Sequence, residues 1–146
     1  MVDIFSQVFT VSQQAFIDYA NSEQGKISLY NKSPIVSPSY EPINTTFPYI
    51  TIEEKSNIFA QKELGGNEKF SLIMYEINIY DNSIYHISVC RNLANVCNET
   101  LSRRFGFKRI FQEPMFNVAD STIYRILQRY NGYIDNQTGI IYNNIK

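Results

Sequence analysis

Few residues in this chain have the chemistry of a catalytic group. His86 is the single histidine among 146 residues, so any imidazole general base must be this one. Cys90 and Cys97 follow it at i+4 and i+11. On a helix the three share part of one face, which is one requirement of a metal site. Zinc sites, however, draw ligands from a second element and space their cysteines more tightly, so core packing is the better reading of both thiols. On a helix these cysteines lie roughly 10 Å apart. A disulfide needs Cα atoms within about 7 Å, so they do not pair, which fits a reducing compartment. No serine stands in a Gly-x-Ser-x-Gly elbow. Glu53 and Glu54 are adjacent, and on a strand they point to opposite faces rather than converging on a substrate. Gly65-Gly66 lacks the Lys-Ser/Thr of a phosphate loop. Arg103, Arg104, Lys108 and Arg109 form the one tight basic cluster; their types suit phosphate, and equally the end of a helix. The expectation is a protein that is not an enzyme, with no cofactor and no metal.

The elements that would carry these residues follow from hydrophobic spacing. Ile4, Phe5, Val8, Phe9, Ala15, Phe16 and Tyr19 recur at helical intervals and predict an amphipathic helix over 4–20, with Asp3 as its N-cap and Gly25 beyond its end. Residues 27–30 alternate as a short strand would. Residues 31–48 hold four of the five prolines and read as an anchored, irregular connection. Phe47–Ile52 and Phe70–Tyr80 read as strands, the second with Ile73, Tyr75, Ile77 and Ile79 on one face and Leu72 and Met74 on a partly covered other face. Asp81-Asn82-Ser83 offers caps for a second helix over 84–103, whose apolar positions are Ile84, Ile87, Cys90, Ala94, Cys97 and Leu101. Arg103 and Arg104 suit its C-terminal dipole, and Gly106 can close it. Strands then follow at 108–112 and 115–118, around Pro114 as an edge or bulge, at 122–130, and at 140–142 after turn chemistry at 135–139. The order is α-β-β-β-α-β-β-β. It predicts a single α+β domain over 1–146, with a mixed, mostly antiparallel sheet and two main helices on one face.

Composition narrows the function classes. The formal net charge is −1 and the pI about 5.8. A nucleic-acid binder carries a basic excess, because phosphate neutralisation supplies most of its affinity, so no specific nucleic-acid partner is expected. No apolar run approaches the ~20 residues of a membrane span, and the amino-terminal stretch has no basic region ahead of its apolar residues, so neither a membrane nor a signal peptide is expected. Charged residues make up 18%, against about a quarter in an average domain. The 21 Tyr and Phe side chains are spread over nearly every element, unlike a compact stacking platform for single strands. Aromatic richness with few charges suits protein–protein contact.

Three segments, taken in order, carry a resemblance. Phe47-Pro48-Tyr49-Ile50-Thr51-Ile52 follows a proline-rich approach. Gly106-Phe107 follows a helix that itself follows a long strand. Thr122–Ile126 then leads to Arg129-Tyr130-Asn131-Gly132-Tyr133-Ile134-Asp135 and Gly139-Ile140-Ile141-Tyr142. Over about residues 4–142 the chain resembles the tail terminator, or tail-completion, proteins of long-tailed phages, also described as minor capsid or head–tail joining proteins. The resemblance implies an α+β fold that assembles as a ring, commonly a hexamer, on the end of the tail tube in the neck of the virion. It implies three partners: the tail tube protein, a head-closure or connector protein, and further copies of the chain. It implies assembly in the host cytoplasm, and it carries over no catalytic residue. Glu53 and Glu54 depart from the pattern, which expects a small residue such as glycine after this strand. The competing readings are another neck component, such as a head-closure or adaptor protein, and a small-ligand-binding α+β domain.

Residues 53–69 read as a long, charged loop between two strands. Loops of this length in compact domains are usually functional or disordered. Lys55, Ile58, Phe59, Lys62 and Leu64 are the candidate interface: the charges favour solvent, and the apolar Ile58, Phe59 and Leu64 bury themselves when a partner arrives. The alternative is that Ile58, Phe59 and Leu64 fold back on their own sheet as a short helical turn.

Overall fold

In the computed structural model, residues 4–38, 46–62, 68–115, 123–135 and 141–142 are described. Helix α1 spans Phe5–Asn21 and buries Val8, Ser12, Phe16 and Ala20 along one stripe. Its start is Ile4, without a side-chain cap; Asp3, expected there, lies outside the described residues. The chain then turns through Ser22 into a short helix α2, Glu23–Ser28. Ser22 Oγ accepts a hydrogen bond from the Gly25 amide at 3.0 Å, a serine N-cap. Gly25 is forced by close approach: a Cβ there would stand 1.6 Å from the Tyr19 carbonyl oxygen. The strand expected at 27–30 is therefore not formed. Ile27 and Ser28 end α2 instead, because a capped turn satisfies their backbone locally.

Six strands follow: β1 Ile35–Ser37, β2 Tyr49–Lys62, β3 Glu68–Asp81, β4 Lys108–Met115, β5 Tyr124–Asp135 and β6 Ile141–Tyr142. Their order is β1-β2-β3-β5-β4, with β6 on β5. Among the described residues only β1 and β2 run parallel; the other pairs are antiparallel. The sheet is thus mixed and mostly antiparallel, as the sequence predicts. Its first strand lies at 35–37, inside the stretch read as irregular, where the Ile35 amide donates to the Pro48 carbonyl at 3.0 Å. The larger correction is at 53–69. β2 runs on to Lys62 and β3 begins at Glu68, paired from Tyr49↔Tyr80 to Lys62↔Glu68, with register shifts at Lys55 and near Phe59–Lys62. The segment is polar and charged, so hydropathy reads it as loop although its backbone pairs with β3.

Helix α3, His86–Asn98, continues into a π-helical turn at Glu99–Arg104. Gly106 closes it with φ 86°, and the Phe107 amide donates back to the Leu101 carbonyl at 2.9 Å. The buried stripe of this helix is Val89, Cys90, Leu93, Ala94, Cys97 and Leu101. Ile84 and Ile87, expected on that stripe, are exposed. The helix starts two residues later than the spacing suggests, so its core face begins at Val89.

One core lies between the helices and the sheet. It joins Val8 and Phe16 of α1, Leu93 and Ala94 of α3, Ile50 and Ile52 of β2, Ile73, Tyr75, Ile77 and Ile79 of β3, and Ile126, Tyr130 and Ile134 of β5. The inward face of β3 is the one read from sequence. Gln128 sits in this core, fully buried, and donates from Nε2 to the Ala94 carbonyl at 3.2 Å and to Gln112 Oε1 at 2.7 Å. That fastens α3 to β5 and β4. Pro114 lies on β4, the last strand of the sheet order, as an edge position suits; but β4 runs unbroken from Lys108 to Met115 with Pro114 paired to Ile126, so the break expected at Pro114 is not formed and the bulge lies between Arg109 and Phe111 instead. The turn at 136–139 and the strand residues 116–118 lie outside the described residues.

Candidate protein interface

The candidate interface residues are held by a hairpin rather than a loop. Ile58 pairs with Leu72, Phe59 with Ser71 and Lys62 with Glu68 in the β2–β3 register, so neither Ile58 nor Phe59 forms a helical turn. Leu64 lies outside the described residues. Lys55 leads a chain of charges across three strands. Its Nζ donates to Glu53 Oε2 at 2.7 Å and lies 3.6 Å from Glu76 Oε2. Glu76 Oε1 in turn takes Arg129 Nε at 3.3 Å. The hydrogen bond to Glu53, more than the nearby charges, raises the Lys55 ammonium above its ordinary range, so it stays a cation. Beside this chain Arg125 donates to Asn78 Oδ1 at 2.8 Å and lies over the Tyr80 ring, and Arg129 lies over Phe111. Arg125, Arg129, Glu76 and Asn78 were not singled out by sequence reading. Their signal was the alternation in β3 and β5, which sends every second residue to the face away from the helices.

The groups with chemical potential do not converge. His86 Nδ1 sits 2.8 Å from the Ser83 carbonyl oxygen, the position of an N–H donor, and its ring packs 5.1 Å from that of Tyr124. Asp81 is fully buried; its Oδ2 accepts from the Ser83 hydroxyl at 2.5 Å and the Ser83 amide at 3.3 Å. The Asp81–Ser83 segment thus forms a turn ahead of α3 but does not supply the cap expected of it: the N-cap position is Tyr85, with no side-chain cap hydrogen bond. Cys90 and Cys97 are free and buried. Burial, with the Asp81 charge adding to it, holds the Cys90 thiol far above the ordinary range; burial pushes Cys97 up to about 12. Thiols so shifted are poor nucleophiles. Among the described residues no three His, Cys, Asp or Glu side chains are grouped to hold a metal. Arg103 pairs with Glu99 one helical turn away, and Arg109 donates to Gln112, so two of the four basic residues are engaged with their own chain. Among the described residues no helix is long and apolar enough to cross a membrane.

A second surface was missed from sequence. Ile27, Tyr30, Ile84, Tyr85 and Ile87 are exposed, Ile84 by 85% and Ile27 by 76%. The rings of Tyr30 and Tyr85 stack with centroids 3.9 Å apart and planes 13° from parallel. Spacing assigned Ile84 and Ile87 to the core, which hid this patch.

With this geometry in hand, the chain is defined as an α+β domain whose prominent surfaces are a charged strand face and an apolar helix corner. The sequence matches no protein-family model and no curated protein.

Proposed function

We propose that the chain is a structural assembly protein of the tail-terminator kind. It assembles as a ring on the end of a phage tail tube, stops tube growth and offers its outer surface to the head-closure protein. The observation that carries this reading is where the resemblance-bearing segments meet. Ile50 and Ile52 from the first, Phe107 from the second, and Ile126, Tyr130 and Ile134 from the third are all buried in one core. Short segments far apart in sequence thus belong to a single structural unit, the α+β unit that the resemblance implies. In this reading the chain works by contact and carries no covalent step. The β2–β3 hairpin, with Lys55, Ile58, Phe59, Lys62 and Leu64, meets the neighbouring subunit or the tube. A paired hairpin suits that task better than a loop, because less ordering entropy is lost on docking.

Negative-stain microscopy of the protein mixed with tail tubes tests the reading. Added density at one tube end supports it; tubes with bare ends at saturating protein count against it.

A further inference from the structure

A sheet edge is a row of backbone donors and acceptors that another strand can join. Among the described residues the order closes with β1 on one side and β4 on the other. β1 is three residues long, too short to template a partner. β4 has eight residues, roughly 26 Å of edge at strand rise. It is uncovered: Lys108, Arg109, Ile110, Gln112, Glu113 and Pro114 are all exposed. β6, two residues long, lies on the same side of β5 but beyond it, against Tyr133 and Ile134, whereas β4 pairs no further than Asn131.

A partner strand would find little on β4 to bond. Pro114 has no N–H, and on an edge strand proline sits where that N–H would have faced away from the sheet. In an antiparallel pair, positions two apart face the same way, so the Gln112 amide is the next outward donor. Ile110 would follow, and there the ladder breaks. Arg109 pairs with Tyr130 and Phe111 with Arg129, which leaves Ile110 as the extra residue of a bulge. A bulge bends its strand and twists the edge away from a flat partner. Lys108 and Arg109 charge the end of the strand beyond it. The Gln112 amide thus stands between a missing donor and a bend.

We propose that β4 is a guarded edge: its proline and its bulge keep copies of this chain from joining sheet to sheet, so that contacts between copies run through side chains. The proposal stands apart from the tail-capping reading, and its test contains no tail tube.

Two variants open the edge. Pro114→Val restores an amide. Pro114→Val with Ile110 deleted also removes the bulge, and keeps Arg109 opposite Tyr130 and Phe111 opposite Arg129. Each is compared with the wild type over about a hundredfold range of protein concentration, by sedimentation velocity and by amide hydrogen exchange across residues 108–115. Wild-type exchange in β4 should not change with concentration. Pro114→Val should associate more than the wild type, and the double variant more again. At the highest concentration their β4 exchange should slow about tenfold or more. Melting curves check folding, and both altered positions are exposed. If the deletion unfolds the chain, Pro114→Val alone decides. Association of the wild type that leaves β4 exchange unchanged agrees with the proposal, because it runs through other surfaces. Wild-type β4 exchange that slows as concentration rises overturns it, since the edge is then already in use. Folded variants that associate and exchange as the wild type does overturn it too.

Discussion

Lys55 Nζ lies 3.6 Å from Glu76 Oε2, across the pair of strands β2 and β3. A residue expected in a loop thus sits at a bulge of β2, between the paired Glu54 and Ser56, and is linked through Glu76 to Arg129 on β5. Exposed pairs of this kind contribute little stability, about 0–1 kcal/mol. The pairing of Glu54 with Tyr75 and of Ser56 with Met74, on either side of the bulge, is what ties the segment into the sheet. Limited trypsin digestion of the native protein should therefore leave the bond after Lys55 intact until the whole domain unfolds. Early cleavage there would mean that the hairpin is not formed in solution.

Ile77 is fully buried, paired with Ile52 on one side and Gln128 on the other, in the core that holds Leu93 and Ala94. Ile77→Ala should cost about 2–5 kcal/mol, through lost burial and the cavity left behind. Urea denaturation measures it. An unchanged midpoint would contradict the facing of β3.

Much of this core was legible in advance. The β3 face, the alternation of Ile126, Gln128 and Tyr130, and the close at Gly106 follow from periods of two and of 3.6, and from glycine's access to positive φ. What was not legible has physical causes. Ile27-Ser28-Leu29-Tyr30 alternates as a strand would, but Ser22 caps a helical turn there and Leu29 alone goes inside. Glu53–Lys62 is rich in polar and charged residues, so hydropathy reads it as loop although its backbone pairs with β3. Ile84 and Ile87 fit a helical stripe, yet the helix begins at His86 and turns them outward. Of the candidate site, the sequence assigned Lys55, Ile58, Phe59 and Lys62 to a loop, whereas they lie on β2. It gave no sign of the Tyr30–Tyr85 stack, because that contact joins residues distant in sequence.

The buried thiols set an alkaline limit on stability. Cys97 is pushed up to about 12 by burial, and burial raises Cys90 and Tyr130 further still. In the unfolded chain a thiol ionises near about 8.5–9. A folded value raised above the unfolded one gives stability that is full below the unfolded pKa. It declines as pH rises from there through the folded value. The melting temperature should hold steady through neutral pH and fall between about pH 9 and 12. Iodoacetamide at about pH 8 should label neither native thiol. A flat profile to pH 11, or rapid labelling of folded protein, would contradict the burial of both cysteines.

His86 donates to a main-chain carbonyl and packs on Tyr124, a role in positioning the start of α3. His86→Ala should cost about 1 kcal/mol for the lost hydrogen bond and leave tube capping unchanged. About a hundredfold loss of function in the folded variant, the least expected on removing a general base, would assign His86 a chemical role.

The central claim is that this chain ends tail tubes. Its most direct measurement is tube length by electron microscopy, with tubes grown from the cognate tail tube protein in the presence and absence of the chain. The account predicts shorter tubes whose ends carry added density and do not elongate when fresh tube protein is supplied. Tubes that keep growing at the same rate from ends that bear no density would contradict it.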